Sequence, residues 1–108
     1  MNEEILIVYV TCPQAGTGEG IARALIAERE AACVNIVPGL RSVYRWQGAV
    51  AVDDEVLLLI KTTGARFDAV CERVLALHPD ELPEIVAVPV TAGLPAYLDW
   101  VSKETVVP

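Results

Sequence analysis

His78 is the only histidine in the sequence, and its side chain is the one best suited to bind a transition metal. Imidazole nitrogens bind copper and zinc well, and the nearby Asp80, Glu81 and Glu84 offer carboxylate oxygens. A closed transition-metal site usually has three or four protein ligands, so His78 would need further ligands pooled from neighbouring subunits. The alternative is structural: His78 caps the end of a helix, where the helix dipole favours a positive charge.

Lys61 and Glu84 form a second candidate pair, because Lys61 stands at the end of one predicted strand and Glu84 at the start of another. We expect these two strands to be neighbours or nearly so, which would place both side chains beside a cleft. Such a pair could bind a small anion or orient a ligand. The alternative is an ordinary surface ion pair that contributes about 0–1 kcal/mol to stability.

Tyr44 and Trp46 alternate along a predicted strand and therefore lie on one face of it. Aromatic side chains are efficient anchors at protein interfaces. We therefore expect Tyr44 and Trp46 to contact another subunit, with stacking against a ligand as the alternative.

Residues that could support catalysis are few. Cys12 lies beside Pro13 at a strand end, but no base is adjacent to it in sequence, so nucleophilic catalysis has little support. The glycine-rich segment 16–20 lacks the Gly-Lys-Ser/Thr ending of a phosphate-binding loop. We expect no enzymatic activity and no required cofactor, and we consider a divalent cation such as copper as the ligand.

Length and composition limit the class of protein. The 108 residues predict a single domain that spans residues 1–108. Apolar residues make up 54% of the chain, more than one modest core requires, so we expect part of the surface to face another chain. The formal net charge of −7, without a cluster of Lys and Arg, argues against nucleic-acid binding.

Membrane insertion and secretion are likewise not expected. The longest apolar runs, Ile5 to Val10 and Val56 to Ile60, are far shorter than the roughly 18 residues of a membrane helix. The first four residues do not resemble a secretory signal. Three widely spaced cysteines fit a reducing, cytoplasmic location.

The order of predicted elements gives the fold class. These elements are a strand at 5–10, a turn-rich segment at 14–20, a helix from Ile21, a strand at 33–37, alternating strands around a hairpin tip at Gln47-Gly48, a helix at 67–77 preceded by a Thr62-Thr63 cap, a strand at 85–91, a helix at 94–103 and a tail strand at 105–107. This order predicts an α+β, ferredoxin-like split βαβ sandwich with a long hairpin between its second and third strands and a C-terminal helix. Pro89 predicts that the last main strand lies at an edge or contains a bulge, because proline cannot donate to a strand ladder.

Glu30 interrupts the apolar pattern of the first helix, because it stands four residues after Ile26. The favoured interpretation is a solvated side chain at a frayed helix end. The alternative is a partly buried Glu30 that needs a partner and destabilises the fold. We expect Glu30→Leu to raise the melting temperature by restoring the apolar pattern, and an equal or lower value would mean that Glu30 is solvated or usefully paired.

The second face of the predicted sheet needs a cover. Right-handed crossovers place both main helices on one face. The first and third strands are apolar on both faces, and wetting the uncovered face would forgo about 25 cal/mol per Å² of apolar surface. We therefore expect this face to pack on other subunits, with the long hairpin reaching a neighbour.

Five short motifs occur in order along nearly the whole chain. They are 27–29 with 31–35 (AER, AACVN), 43–48 (VYRWQG), 59–63 (LIKTT), 78–79 with 82–85 (HP, LPEI) and 97–100 (YLDW). Together they resemble the CutA family, the divalent-cation tolerance proteins. The resemblance implies a ferredoxin-like fold, a tight homotrimer similar to the PII signalling proteins, and a part in the response to divalent metal ions; it implies no catalytic mechanism.

Departures from the family pattern affect the metal-binding expectation. The family usually has Leu where Glu30 stands. Some copper-linked members carry Cys and His at positions that match Val10 and Leu77, so only His78 remains in this sequence. We therefore expect weak copper binding at subunit boundaries. The alternative function is a PII-like sensor that binds a small anionic metabolite in inter-subunit clefts through Lys61. An acylphosphatase-like enzyme is least supported, since no loop offers a basic phosphate cradle.

Overall fold

The computed structural model describes residues 4–107 and contains one four-stranded antiparallel sheet with three helices. The elements are β1 Ile5–Cys12, α1 Ala15–Ala27, β2 Cys33–Trp46, β3 Ala49–Thr63, α2 Phe67–Leu77, β4 Ile85–Pro89 and α3 Pro95–Glu104. The strand order across the sheet is β2-β3-β1-β4. The predicted α+β, ferredoxin-like arrangement is confirmed, and β4 with Pro89 lies at the sheet edge as expected.

The hydrophobic core lies between the sheet and the helices α1 and α2. Alternate residues of β1 and β3, among them Val8 and Ile60, point to this side and are fully buried. They pack against Leu25 of α1 and Val74 of α2 in one continuous cluster. Burying each such side chain contributes about 1.5–3 kcal/mol, so this layer holds the sheet and the helices together.

The opposite face of the sheet, here called the open face, is apolar and only partly covered. By strand alternation it carries Ile7 and Leu59, which are partly exposed, and Val86 and Val88, whose exposed fractions are 51% and 42%. Helix α3 contacts β3 and β1 near the end of this face where Ile5 is buried. The remainder of the open face has no cover from residues 4–107.

The hairpin formed by β2 and β3 extends well beyond the rest of the sheet. Pairing of β1 with β3 ends at Cys12 and Val56, whereas β2 and β3 stay paired to the hairpin tip. We call the outer part, residues 40–55, the hairpin arm. A register shift between Val37 and Leu40 marks a β-bulge at its base, at the predicted interruption.

The hairpin tip is a tight turn at the predicted position. Gln47 and Gly48 have φ angles of 50° and 82°, as both central residues of a type I′ turn require. This turn matches the right-handed twist of the flanking strands, so the two long strands remain paired up to the tip.

Helix α1 begins earlier than its glycine content predicts. It starts at Ala15, so the segment expected to be a turn-rich approach is helical. A Cβ atom on Gly18 would lie 3.2 Å from Leu58 Cδ2 and 3.3 Å from Val56 Cγ2. The small residue lets the helix approach the sheet closely, and this packing outweighs the low helix propensity of glycine.

Three local predictions are wrong: the cap of α2, the end of the last strand and a strand in the tail. Thr62 and Thr63 do not cap α2: the Thr62 hydroxyl donates to the Glu30 carbonyl at 2.6 Å, and a 3-10 turn at 64–66 precedes the helix. The last strand ends at Pro89 and not at Thr91. The tail forms no strand within the described residues, and the Thr105 hydroxyl instead donates to the Val101 carbonyl at 2.9 Å.

Glu30 is buried and paired, so the expectation of a solvated side chain at a frayed helix end is wrong. Its residue exposure is 8%. The Arg73 guanidinium donates to both Glu30 carboxylate oxygens, at 2.9 and 3.3 Å, and this contact raises the pKa of Arg73. The ion pair ties α2 to the turn that follows α1.

Candidate functional site

A cleft of about 790 Å³ lies between the hairpin arm and the segment 79–84. We call it the acidic cleft because six carboxylate residues line it and, within residues 4–107, no Lys, Arg or His does. These residues are Asp53, Asp54, Glu55, Asp80, Glu81 and Glu84. A cleft with one sign of charge concentrates counter-ions, so this cleft favours cations over anions.

Tyr44 and Trp46 form part of the cleft wall on the hairpin arm. Their exposed fractions are 42% and 39%. The Tyr44 hydroxyl donates a hydrogen bond to Asp53 on the paired strand. This bond, followed by burial and the nearby carboxylates, raises the pKa of Tyr44 to about 12, so the phenol stays protonated near neutral pH. The structure leaves both rings accessible in the single chain, and their predicted role in subunit contact remains a prediction.

His78 holds the far wall of the cleft in place. Its side chain is fully buried at the end of α2. Nδ1 accepts a hydrogen bond from the Asp80 backbone N–H at 3.0 Å, so Nε2 carries the proton and donates to the Thr11 carbonyl at 2.7 Å. The ring thereby joins β1 to the segment 79–84.

This arrangement bears directly on the predicted metal role of His78. Both ring nitrogens are used by backbone partners, so a metal would have to displace one of them. Within residues 4–107, no group of three or more His, Cys, Asp or Glu side chains is placed to hold a metal ion. A tight metal site is therefore not preformed in the described part of a single chain.

Cys12 ends β1 close to the cleft and is fully buried. Burial raises the pKa of its thiol to about 11, and the charges of Glu55 and Asp80 add to the shift. The thiol therefore stays protonated near neutral pH and is a poor nucleophile and a poor metal ligand.

Lys61 and Glu84 are not brought together, contrary to the expectation of one shared cleft. Lys61 is level with Ile7 of β1 and donates a hydrogen bond to Asn35, whereas Glu84 precedes Ile85, which pairs with Val10. The two levels are four strand positions apart, about 13 Å along the sheet. Lys61 belongs to β3 and Glu84 precedes β4, and β1 lies between these strands, so two strand spacings across the sheet add to that distance. Glu84 lines the acidic cleft, and Lys61 does not.

Other cleft residues were not singled out from the sequence. Thr11, Asp53 and Glu55 line the cleft, but in sequence they belong to strands and carry no motif. The available signal was the alternation of Asp53 and Glu55, which places them on the same strand face as the facing Tyr44. Segment 79–84 reaches the cleft through tertiary packing, and no periodic pattern in the sequence indicates that position.

Comparison with known proteins identifies the family. A family model described as "CutA1 divalent ion tolerance protein" matches residues 6–104. The chain belongs to the CutA1 family.

Relatives in the family confirm the resemblance seen in the sequence. The chain is 54% identical over 99 residues to the divalent-cation tolerance protein CutA of Thermus thermophilus, covering 92% of this chain and 96% of that protein. It is 42% identical over 97 residues to Protein CutA of Homo sapiens, covering 90% of this chain but 54% of that protein. The chain thus spans about half the length of some CutA relatives.

Solved CutA1 structures share this fold. The divalent cation tolerance protein of Thermus thermophilus superposes with a TM-score of 0.92 at 53% identity, covering 94% of this chain and 98% of that chain. CutA1 from Oryza sativa gives a TM-score of 0.92 at 45% identity, with coverages of 95% and 94%. The family names describe tolerance of divalent cations and do not name a reaction.

The helices of this CutA1 chain are short. Among the residues that the structure describes, no helix has both the length and the apolar character needed to cross a membrane.

Proposed function

We propose that this CutA1 chain acts as a homotrimer in the tolerance of divalent cations, without enzymatic activity. The observation that carries the assembly is the open face of the sheet. Val86 and Val88 are about half exposed there, and partly exposed apolar residues of β1 and β3 lie beside them. A continuous apolar face of this kind is typical of a subunit interface.

The hairpin arm supports the same assembly. A two-stranded ribbon is marginally stable by itself in water, yet β2 and β3 remain paired for seven positions beyond the bulge. Val43 and Val50 of the arm are 68% and 67% exposed. We propose that the arm packs against a neighbouring subunit, with Tyr44 and Trp46 as its anchors.

The role in cation tolerance follows from the family. Relatives carry the name divalent-cation tolerance protein, and the net charge of −7 together with the acidic cleft favours cations. We propose that a cation such as copper binds weakly, at subunit boundaries, with His78 released from one backbone partner to serve as a ligand.

The PII-like alternative, an anionic metabolite bound through Lys61, has no supporting observation. Lys61 is bound to Asn35, and carboxylates line the acidic cleft. We propose a cytoplasmic location on the basis of three free cysteines, which suit a reducing compartment.

Sedimentation velocity tests the assembly. We expect a trimer for the wild type and dissociation for Val88→Lys, which puts a charge on the open face. The control is Leu75→Lys on α2, which is 59% exposed on the helix side of the molecule and should leave the trimer intact. A monomeric wild type at all concentrations would contradict the proposal.

Calorimetry with CuCl₂ tests the cation role. We expect weak, saturable heat in the wild type and reduced binding in His78→Gln, with Glu72→Gln on α2 as a control. If His78→Gln folds and binds copper as the wild type does, His78 is not a ligand. If the wild type gives no saturable heat, the copper role is removed while the trimer remains testable by sedimentation.

A further inference from the structure

Helix α3 is held differently from the other two helices. Within residues 4–107, the core cluster that joins the sheet to α1 and α2 contains no residue of α3. Of the described residues of α3, only Val101 is buried. The helix contacts β3 and β1 at the end of the open face, on the other side of the sheet from the core. Movement of α3 away from the sheet would therefore leave the main core intact.

The apolar stripe of α3 is only half buried. Leu94, Tyr97 and Val101 follow the spacing of one helix face. Leu94 is 70% exposed and Tyr97 is 41% exposed, whereas Val101 is fully buried. At the end of the helix, the Arg29 guanidinium donates to the Glu104 carbonyl across 3.5 Å, which is long for a hydrogen bond. The packing that secures α3 is therefore concentrated in its C-terminal half.

Thr63 lies beneath α3 and has a hydroxyl that is not satisfied. This hydroxyl is fully buried and, within the described part of the chain, has no hydrogen-bond partner. Strand alternation places Thr63 on the open face opposite Ile5, which is also buried. The next pair on this face, Ile7 and Lys61, is partly exposed. The cover over Ile5 and Thr63 is therefore local, and it lies where α3 contacts β1 and β3.

The unpartnered hydroxyl makes the closed position of α3 costly. A buried polar group without a hydrogen bond costs the free energy of its lost hydration. Water would reach the Thr63 hydroxyl once α3 moved away, so opening recovers this cost. Thr62 is the matched case, because it is equally buried on the core side and its hydroxyl donates to the Glu30 carbonyl at 2.6 Å. Of these two adjacent threonines, only Thr63 would gain a hydrogen bond when α3 opens.

A short irregular segment before α3 can serve as the pivot. The Val90 backbone N–H donates to the Ile5 carbonyl at 2.9 Å and ties the chain to β1 just after β4. Segment 91–94, which includes Gly93, then leads into the helix without regular secondary structure. A few residues in such a segment can absorb the change in φ and ψ that a hinge needs.

We propose that α3 is a lid on the end of the open face. It opens about segment 91–94 while the sheet, α1 and α2 stay folded, at a lower free energy than global unfolding. Opening uncovers Ile5 and Thr63 and lengthens the apolar face that we propose for subunit contact. The opening is a property of one chain and goes beyond the proposed function; only its effect on subunit contact rests on the trimer.

Thiol labelling of two cysteine variants tests the lid. Thr63→Cys and Thr62→Cys place a thiol at adjacent, fully buried positions on opposite sides of the sheet. With excess iodoacetamide under native conditions, we expect labelling at position 63 to be at least about tenfold faster than at position 62, because only position 63 lies beneath α3. The native Cys12, fully buried in the main core, is read in the same molecules by peptide mass spectrometry, and its slow labelling shows that the core is folded.

Hydrogen exchange tests the lid without a new thiol. In the wild type, the amides of α3 should exchange faster than those of α2. Thr63→Val keeps the shape of the side chain and removes the unpartnered hydroxyl, so it should slow exchange of the Val101 amide by about fivefold or more. Thr62→Val removes a hydroxyl that already has a partner and should not slow this exchange.

Two results would overturn the proposal. The first is equal labelling at positions 62 and 63, both in the wild-type background and in Val88→Lys, where contact through the open face is disrupted. The second is exchange of the α3 amides together with those of α2 in the wild type and in Thr63→Val, which would mean that only global unfolding exposes α3. Faster labelling at position 63 in Val88→Lys than in the wild-type background would support the lid and show that subunit contact holds it closed. Sedimentation of the same samples measures the trimer separately.

Discussion

His78 connects two backbone segments through one imidazole ring. Its contacts with the Thr11 carbonyl and the Asp80 amide fix the end of β1 against segment 79–84. The residue type allowed both a metal ligand and a structural role, and only the positions of these two backbone groups distinguish them. In the single chain His78 is a positioning residue for the acidic cleft.

The Glu30–Arg73 ion pair reverses the expected effect of a substitution. Removing one partner of a shielded pair leaves the other without compensation. We therefore expect Glu30→Leu to lower the melting temperature by several degrees, although the sequence pattern alone indicates a rise. The measurement is thermal unfolding followed by circular dichroism.

A double substitution separates the pair from the packing around it. Glu30→Leu combined with Arg73→Met removes both charges and should recover most of the lost melting temperature, as replacement of a whole ion pair by apolar residues often does. A single variant Glu30→Leu that melts above the wild type would mean that the pair contributes no stability.

The buried Cys12 thiol makes stability depend on alkaline pH. Its pKa is raised from 9.0 to about 11 in the folded chain, so the unfolded chain loses this proton first as pH rises. Stability from this group is therefore present below pH 9 and decreases between about pH 9 and 11. Urea unfolding at several pH values should give a steeper decrease for the wild type than for Cys12→Ala. Equal slopes would mean that the thiol titrates normally.

At the scale of elements, periodicity predicted most of the fold. The α2 stripe gave a correct helix because α2 buries one side against the core. The alternation at 40–46 also gave a correct strand, although this part of β2 belongs to the hairpin arm and lies outside the core. The start of α1 was missed because glycines at 16, 18 and 20 indicate a turn in isolation. Close packing of Gly18 against Leu58 is a tertiary effect that local propensity does not contain.

The candidate site was only partly predictable for the same reason. Tyr44 and Trp46 were found from alternation, and Glu84 was singled out, although with the wrong partner. The hairpin arm and segment 79–84 lie together because the end of α2 packs against the end of β1 through His78. This tertiary contact cannot be predicted from the local sequence. Lys61 was misplaced because strand order alone does not give the level of a residue along its strand.

Two glycines of α1 should respond in opposite directions. A Cβ on Gly20 meets nothing within 4 Å, so Gly20→Ala should raise the free energy of unfolding by about 0.5–1 kcal/mol through higher helix propensity. Gly18→Val should lower it by about 1–3 kcal/mol, because the added atoms meet Leu58 and Val56. Urea unfolding measures both, and similar effects of the two substitutions would contradict the packing at Gly18.

At the scale of the whole molecule, the hairpin arm gives the chain an elongated shape. The radius of gyration is 14.4 Å, compared with about 13 Å for a compact domain of this length. The longest dimension is 46 Å against 26 and 22 Å for the others. A two-stranded arm with exposed valines is marginally stable by itself, which supports the proposed contact with a neighbouring subunit.

Assembly should therefore contribute to thermal stability. If folding is linked to trimer formation, the melting temperature rises with protein concentration by mass action. We expect this rise for the wild type in a scan over a hundredfold concentration range, and a lower, concentration-independent value for Val88→Lys. A concentration-independent wild type that is trimeric at every concentration would show that subunits separate only after unfolding.

The edge strand β4 has only five residues, and Pro89 closes it with a position that lacks an amide donor. A long, flat, apolar border would invite endless recruitment of further chains into fibrils. The five residues of β4 leave very few unpaired backbone N–H and C=O groups at this edge, and Pro89, which has no N–H, ends the strand. A protein this rich in aliphatic side chains is in this way kept from amyloid-like growth at that border, whatever its subunits do elsewhere.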